Sequence, residues 1–370
     1  MPEGSLSSEQ DVEDFERGTA FLAASGGGPR EMASGPLLDD LERGLEPRWI
    51  DLPSLADDAL VACTFYSGSI APDTFDTAEA EREAGVERIT ERLMVEATRQ
   101  LEAYLGEEID ALIALEIGGV NTGLVVDAAA NLGKPALDAD YAGRAVPELP
   151  CITPVIGGES VLPLACVDFY GDVSIVAEAA GVAMAERLTK YLAVAAFGTV
   201  GCAGIPLRGE VVKRIAVPGT LSESLSIGRA IRQAREAGRD PVEAAVAAVP
   251  GARVLLRGAV ADRKWENRDG YMWGEHVVEG GGTSLRIWFK NENLLSWLDG
   301  EPYVCSPDLI EVVDDESSEP RVNTDLAVGD RVAVLGLPRP AQLGTPEAIA
   351  ALGPRHWGFD FDFQPIESLA

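Results

Sequence analysis

The chain is 370 residues long, 46% of them hydrophobic, with 61 acidic against 30 basic residues and a formal charge of −31. That length suits two to three globular domains of about 150 residues each. The acidic surface excludes nucleic acid and anionic membranes as partners, because both are held through clustered Lys and Arg.

Only five basic residues are lysines (134, 190, 213, 264 and 290). An acidic, lysine-poor shell suits a salt-rich cytoplasm, where self-repulsion is screened, and a GC-rich genome also favours Arg over Lys. The opening MPEGSLSSEQ lacks the basic start and apolar core of a secretory signal. No uninterrupted apolar run reaches the ~18 residues of a membrane span, and the segment ending at Phe197 is broken by Glu186, Arg187 and Lys190. A soluble, cytoplasmic protein is expected.

A first helix is predicted over 11–23, with Phe15, Phe21 and Leu22 as its apolar contacts. Gly26, Gly27, Gly28 and Pro29 stop it. The triplet reads either as a C-cap and loop or as a backbone cradle for an anion or carbonyl, without GKS/GKT or a complete GxGxxG to support the second reading. LVACTFYS (60–67) reads as a buried strand, 77–105 as a long charged helix, and DALIALEI (110–117) as the next strand. Such alternation predicts an α/β layered amino-terminal domain.

The segment from Glu116 to Glu148, EIGGVNTGLVVDAAANLGKPALDADYAGRAVPE, gathers the polar residues that carry chemistry. Gly118 and Gly119 permit close backbone approach, and Asn121 stands where a helix begins, as a cap, a ligand contact, or both. Glu116 ends an apolar strand, where partial burial would raise its pKa and suit it to acid–base work; alternatively it fixes the glycine turn. Asp138 and Asp140 share a face if extended, as cation ligands or as a base and its orienting partner, or they make Asx turns. Arg144 either clamps a substrate carboxylate or neutralises the acidic cluster. Because ligands of open α/β sheets collect outside the carboxyl ends of strands, Glu116, Asp138 and Asp140 are the candidate catalytic residues. Gly26, Gly27, Gly28, Gly118, Gly119, Asn121, Arg144 and Glu148 are the candidate substrate contacts. Glu116, Asn121, Asp138, Asp140 and Arg144 are expected to line one pocket.

Gly157, Gly158 and Pro163 mark a boundary, giving domains over 1–160 and 161–370. A helix is predicted from Thr220 to Ala237, opened by a Thr220–Glu223 capping box. Beyond Pro250 the pieces 252–261, 283–291, 301–306, 308–314 and 330–337 read as strands, so the chain ends β-rich and is α+β overall. Asn291, Glu292 and Asp308 read as turn residues at strand ends, and Lys213 as an ordinary ion pair or an anion contact across the domain interface.

The five cysteines are scattered without a CxxC pair, and the only histidines, His276 and His356, stand 80 residues apart. A His-rich zinc site and HExxH are therefore excluded, and His356 reads as a packed histidine beside aromatic residues. The remaining metal reading is a divalent cation on Glu116, Asp138 and Asp140, with or without a Cys. No organic cofactor is expected. The GxSxG signature of a serine hydrolase is missing and no Cys neighbours a His in sequence.

In shared order, DFERGTAFLAASGGGP, EIGGVN, DADYAGRAVPE, KRIAVPGTLSESLSIGRAI, NENL, SPDLI and GPRHWGFDFDF resemble the S-methyl-thiohydantoin desulfurase-like family, over nearly the whole chain. The first loop departs from the family's usual fourth glycine and Asp. The resemblance implies two domains, an association with hydantoinase and oxoprolinase genes, and hydrolytic loss of methanethiol from an S-methylated thiohydantoin to leave a hydantoin. By residue type and position, Glu116 or Asp138 is then the base and Gly118 and Gly119 are the backbone donors. Asn121 meets the ring amide and Arg144 a substrate carboxylate. Two other readings stand beside this one: a non-catalytic subunit holding a cyclic amide for a hydantoinase-type partner, and a lactam or hydantoin ring hydrolase. A homo-oligomer fits any of them.

Overall fold

The computed structural model describes residues 4–68 and 76–369; the first three residues of the opening segment lie outside them. Nine strands form a mixed sheet: β1 (Gly4–Ser5), β2 (Arg48–Asp51), β3 (Leu60–Gly68), β4 (Ala111–Ala114), β5 (Ala136–Asp140), β6 (Leu164–Val167), β7 (Val173–Val176), β8 (Thr199–Arg208) and β9 (Val217–Pro218). Their order is β1-β2-β5-β4-β3-β8-β6-β7, with β9 added to β5. The inner run β2-β5-β4-β3 is parallel and the flanks are antiparallel. Strands from both sides of residue 160 share this sheet.

The parallel strands are apolar on both faces, as a sheet covered by helices on each side requires. On one face Ala62, Leu112, Ala114 and Ala136 join the core under α4 (Leu93–Leu105) and α5 (Asn121–Leu132), with α1 (Glu9–Phe21) and α2 (Glu31–Glu42) beyond. On the other, Val61, Cys63, Phe65, Ile113 and Leu137 pack with Ala185 and Ala193 of α7 (Val182–Ala195) and Val212 of α8 (Gly209–Ile215).

The predicted 77–105 helix is two helices, α3 (Thr77–Ala84) and α4. Gly85 adopts φ 69° and ends α3 in the left-handed cap that glycine favours. The amides of Ile89 and Thr90 then bond the carbonyl of Phe169 instead of continuing a helix. The helix predicted from Thr220 is α9 (Thr220–Glu236), but its entry differs from the expected capping box. Gly219, at φ 81°, precedes it, and the free amides of Leu221 and Ser222 are satisfied by the Asp138 carboxylate. Among the described residues there are also three short helices, α6 (Thr153–Ile156), α10 (Pro241–Ala248) and α11 (Pro346–Leu352).

The carboxyl-terminal region is a seven-stranded antiparallel sheet in the order β14-β13-β12-β11-β10-β16-β15. Its strands are β10 (Arg253–Arg268), β11 (Tyr271–Gly280), β12 (Thr283–Lys290), β13 (Glu292–Leu298), β14 (Glu301–Cys305), β15 (Leu309–Asp314) and β16 (Arg331–Leu337). β13 and β14 pack back against β15, so the sheet is strongly curved. The architecture is α/β with a β-rich carboxyl-terminal part. Among the described residues no helix is long and apolar enough to cross a membrane.

Candidate active site at the carboxyl ends of the parallel strands

A cavity of about 240 Å³ opens where β3 and β4 end. It falls just below the usual range of small-molecule pockets, about 300–1,000 Å³, so it suits a small ligand. Its wall is built from Phe65–Gly68, the Leu115–Glu116 strand end, Val146–Leu149, one face of α7, the Gly27–Gly28 loop, and Asn291 and Glu292 at the start of β13.

Glu116 is buried and held at both oxygens. Oε1 accepts from Asn121 Nδ2 at 2.8 Å and Oε2 from the Val146 amide at 2.7 Å. Asn121, the first residue of α5, accepts the Tyr66 amide at 2.8 Å on its own carbonyl, so it ties strand β3 to the carboxylate. Burial pushes Glu116 up to about 7, against the pull of these hydrogen bonds and of the Lys190 and Arg144 charges.

Opposite stands Glu292. Lys290 pairs with Glu292 across a one-residue reversal at Asn291, which takes φ 59° and is held by Met272 and Asn323. Among the described residues, Glu292 Oε1 receives only a long contact from the Gly27 amide (3.4 Å), and Oε2 has no partner. Burial first, and then the Glu116 charge, push this carboxyl up to about 8. An acid with an unpartnered buried oxygen is cheaper to bury protonated than charged.

Lys190 enters from α7, its Nζ 3.4 Å from the Gly68 carbonyl and 4.1 Å from the centre of the Tyr271 ring. Burial lowers its pKa, opposed by Glu186, Glu292 and Glu116. Glu186, one helical turn earlier, is fixed by the Tyr271 hydroxyl (2.6 Å) and the Leu149 amide (3.1 Å). Glu148 lines the rim and pairs with Lys290.

The predicted residues divide into two groups. Gly27, Gly28, Glu116, Asn121 and Glu148 border the cavity; Gly26, Gly118, Gly119, Asp138, Asp140 and Arg144 do not. Gly26 backs the site, because a methyl group there would overlap the Glu292 carboxylate. Gly118 and Gly119 serve loop packing: a Cβ on Gly27 would stand 2.8 Å from Gly118 Cα, and the Gly118 amide is already given to Thr122 Oγ1 at 2.9 Å.

Asp138 is spent on α9. It accepts from the Leu221 and Ser222 amides and from Ser222 Oγ at 2.6 Å. Asp140 closes an Asx turn onto the amides of Ala142 and Gly143. Arg144 is fully buried, and its guanidinium reaches the carbonyls of Ala145, Asn293, Pro307 and Asp308. It bolts the β5 loop to the β-rich region instead of meeting a ligand. Asp138, Asp140 and Arg144 thus lie outside the pocket expected to hold them with Glu116 and Asn121, and the Glu116, Asp138 and Asp140 carboxylates, expected to share a cation, are bonded to separate groups of the protein.

Glu186 and Lys190 were missed as site residues, and Glu292 was read as a turn residue. The helix residues carry a weak signal: Glu186, Thr189 and Lys190 share one face at the i, i+3, i+4 spacing. Asp308 behaves as expected of a structural carboxylate, accepting from the amides of Arg339 and Ile366. Lys213 makes a surface ion pair with Asp57 at 2.8 Å.

Residues 10–178 match the family model described as S-Me-THD-like, N-terminal domain, and residues 180–366 match S-Me-THD-like, C-terminal domain. No curated protein matches. Among solved structures, a protein from Chromobacterium violaceum, determined by X-ray crystallography, is similar with a TM-score of 0.80. It is 21% identical, over 99% of this chain and 100% of that one, so the likeness is one of fold.

Proposed function

The chain belongs to the S-Me-THD-like family, and from that premise we propose that it hydrolyses an S-methylated thiohydantoin, releasing methanethiol and leaving a hydantoin. The observation that carries this reading is a pair of carboxyls, Glu116 and Glu292, facing one small cavity with pKa values pushed up by burial to about 7 and about 8. Two carboxyls facing one space in different hydrogen-bonding surroundings are suited to opposite roles. Glu116, doubly hydrogen-bonded as the anion, is the base, and Glu292, with its unpartnered oxygen, is the acid.

The ring carbon that bears sulfur lies between two nitrogens. Water adds there as Glu116 takes one of its protons, while Glu292 gives its proton to the ring nitrogen that gains electron density. The tetrahedral carbon then breaks its bond to sulfur. Its hydroxyl proton returns to Glu292, and the proton on Glu116 passes to the departing methanethiolate. Water's oxygen becomes the new carbonyl, and the two carboxyls end as they began. Lys190 supplies positive charge that favours the ionised form of Glu116, and Asn121 orients that carboxylate.

The test is incubation of the purified protein with S-methyl thiohydantoins and with the corresponding hydantoins, following thiol and ring products separately. Thiol release with an intact hydantoin supports the reading. A ring-opened carboxylate from the hydantoin would identify a ring hydrolase instead. Thermal stabilisation by the ring without turnover would identify a binding subunit.

A further inference from the structure

Behind the cavity rim three metal-binding side chains converge from distant parts of the chain. Glu148 follows β5, Cys151 lies three residues on, and His356 belongs to the segment after α11. One ligand atom from each lies within 4.8 Å of the other two. His356 Nε2 stands 3.3 Å from Glu148 Oε2, while the other Glu148 oxygen is held by Lys290. The His356 ring is set edge-on against Trp357, with centroids 4.4 Å apart. Cys151 Sγ is buried and, among the described residues, has only a long contact, 3.6 Å, to the Ala351 carbonyl. The His356 side chain is 26% exposed, which leaves an approach from solvent.

We propose that Glu148, Cys151 and His356 bind one thiophilic divalent cation of the zinc class. Ligand atoms placed about 2.0–2.3 Å from a tetrahedral zinc stand about 3–4 Å apart, so modest side-chain rotation closes this cluster onto an ion. One sulfur, one imidazole nitrogen and one carboxylate oxygen suit zinc and cobalt, whereas calcium and magnesium call for a shell of oxygens. Lys290 on the second carboxylate oxygen and Trp357 against the imidazole orient the ligands, as outer partners do in metal sites. The Cys151 thiol exchanges its proton for the metal–sulfur bond, so one proton is released for each ion bound. Arg144 and Lys290 oppose the cation, and Glu186 and Glu292 favour it. The ion would tie the 353–363 segment to the wall of the cavity through Glu148, the one ligand that also faces the ligand space.

The site does not depend on the ring-hydrolysis reading, because its test uses the resting protein without substrate. Chelator-stripped full-length protein is titrated with cobalt(II), following the thiolate-to-cobalt charge-transfer band, and then with zinc. The expected result is one cobalt per chain, displaced by zinc, and a zinc-dependent rise in melting temperature. Cys151→Ser abolishes the band, and His356→Ala, at a partly exposed ring, weakens binding at least tenfold. Cys305→Ser, a buried thiol elsewhere in the fold, binds as the wild type does. Absence of the band in the wild type, or its persistence in Cys151→Ser, overturns the proposal. Wild-type affinity in His356→Ala overturns it too, and that variant keeps the test open if Cys151→Ser fails to fold.

Discussion

Glu292 reaches the Gly27 amide, 265 residues earlier in the chain, through one carboxylate oxygen at 3.4 Å, and its other oxygen has no partner among the described residues. The contact joins the β-rich region to the glycine loop of the amino-terminal region, and the absent side chain at Gly26 makes room for it. Glu311 fastens the same loop, accepting from the amides of Ala24 and Ser25. The cavity is thus a product of both regions. Its proposed acid belongs to one and its proposed base to the other.

Replacing Glu292 with Gln keeps the shape of the side chain and removes its transferable proton. Turnover should fall by about 10²- to 10⁴-fold, the usual span for loss of a general acid. Folding should be retained. Steady-state thiol release together with a denaturation curve separates the two effects.

Activity should follow a bell-shaped pH profile. The two limbs report the first and second ionisation of the Glu116–Glu292 pair, whose pKa values burial pushes up to about 7 and about 8. Stability should respond with the opposite sense to an ordinary paired carboxylate. The Glu292 pKa is raised in the folded protein from 4.5 to about 8, so between these values the native state holds a proton that the unfolded chain has released. Its contribution is complete below the unfolded value and is lost as pH rises through the folded one. Denaturation midpoints across this window should therefore fall less steeply with pH in Glu292→Gln than in the wild type.

The Lys190 charge pulls the Glu116 pKa down, against the rise caused by burial. In Lys190→Met the rising limb of the rate profile should therefore move to higher pH. An unshifted limb with reduced activity would assign Lys190 to substrate binding only. The profile of kcat/KM is the measurement.

Asp138→Asn should cost about 1 kcal/mol, the usual value of a lost helix cap, because its carboxylate accepts three hydrogen bonds at the start of α9. Turnover should stay within about twofold of the wild type. Urea denaturation and a thiol assay give the two numbers.

Arg144→Leu should be strongly destabilising, by about 3–5 kcal/mol, as when one partner of a buried charged network is removed. The guanidinium satisfies four backbone carbonyls, and Glu311 and Glu292 compensate its charge. A shifted denaturation midpoint with an unchanged KM in the folded fraction distinguishes this role from a substrate clamp.

The strand–helix–strand unit around 110–140 was legible because its apolar runs, its glycine turn and the cap at Gly133 all point to the same local structure. Glu116 and Asn121 could be singled out because they stand at the end of that strand and the start of that helix. The deceptive residues were Asp138 and Arg144. A carboxylate that caps a helix 83 residues away, and an arginine that serves carbonyls about 150 residues away, carry the same letters as catalytic groups. Glu292 was hidden by its position in a tight reversal, and Lys190 by a mostly apolar helix in which its charge reads as an interruption. His356 and Cys151 are brought together only by tertiary folding, which no spacing rule for zinc motifs describes. Strands β11 and β13 were missed for a related reason: Gly274, His276 and Glu292 interrupt the simple alternation, yet all are buried or half-buried in the curved sheet.

The most direct test of the account is turnover of an S-methyl thiohydantoin in water enriched in oxygen-18, with mass analysis of both products. Attack by water at the carbon bearing sulfur predicts one labelled oxygen in the hydantoin and unlabelled methanethiol, with both lost in Glu116→Gln and Glu292→Gln. An opened ring carrying the label in a carboxylate, or thiol release that persists at the wild-type rate in both variants, would contradict it.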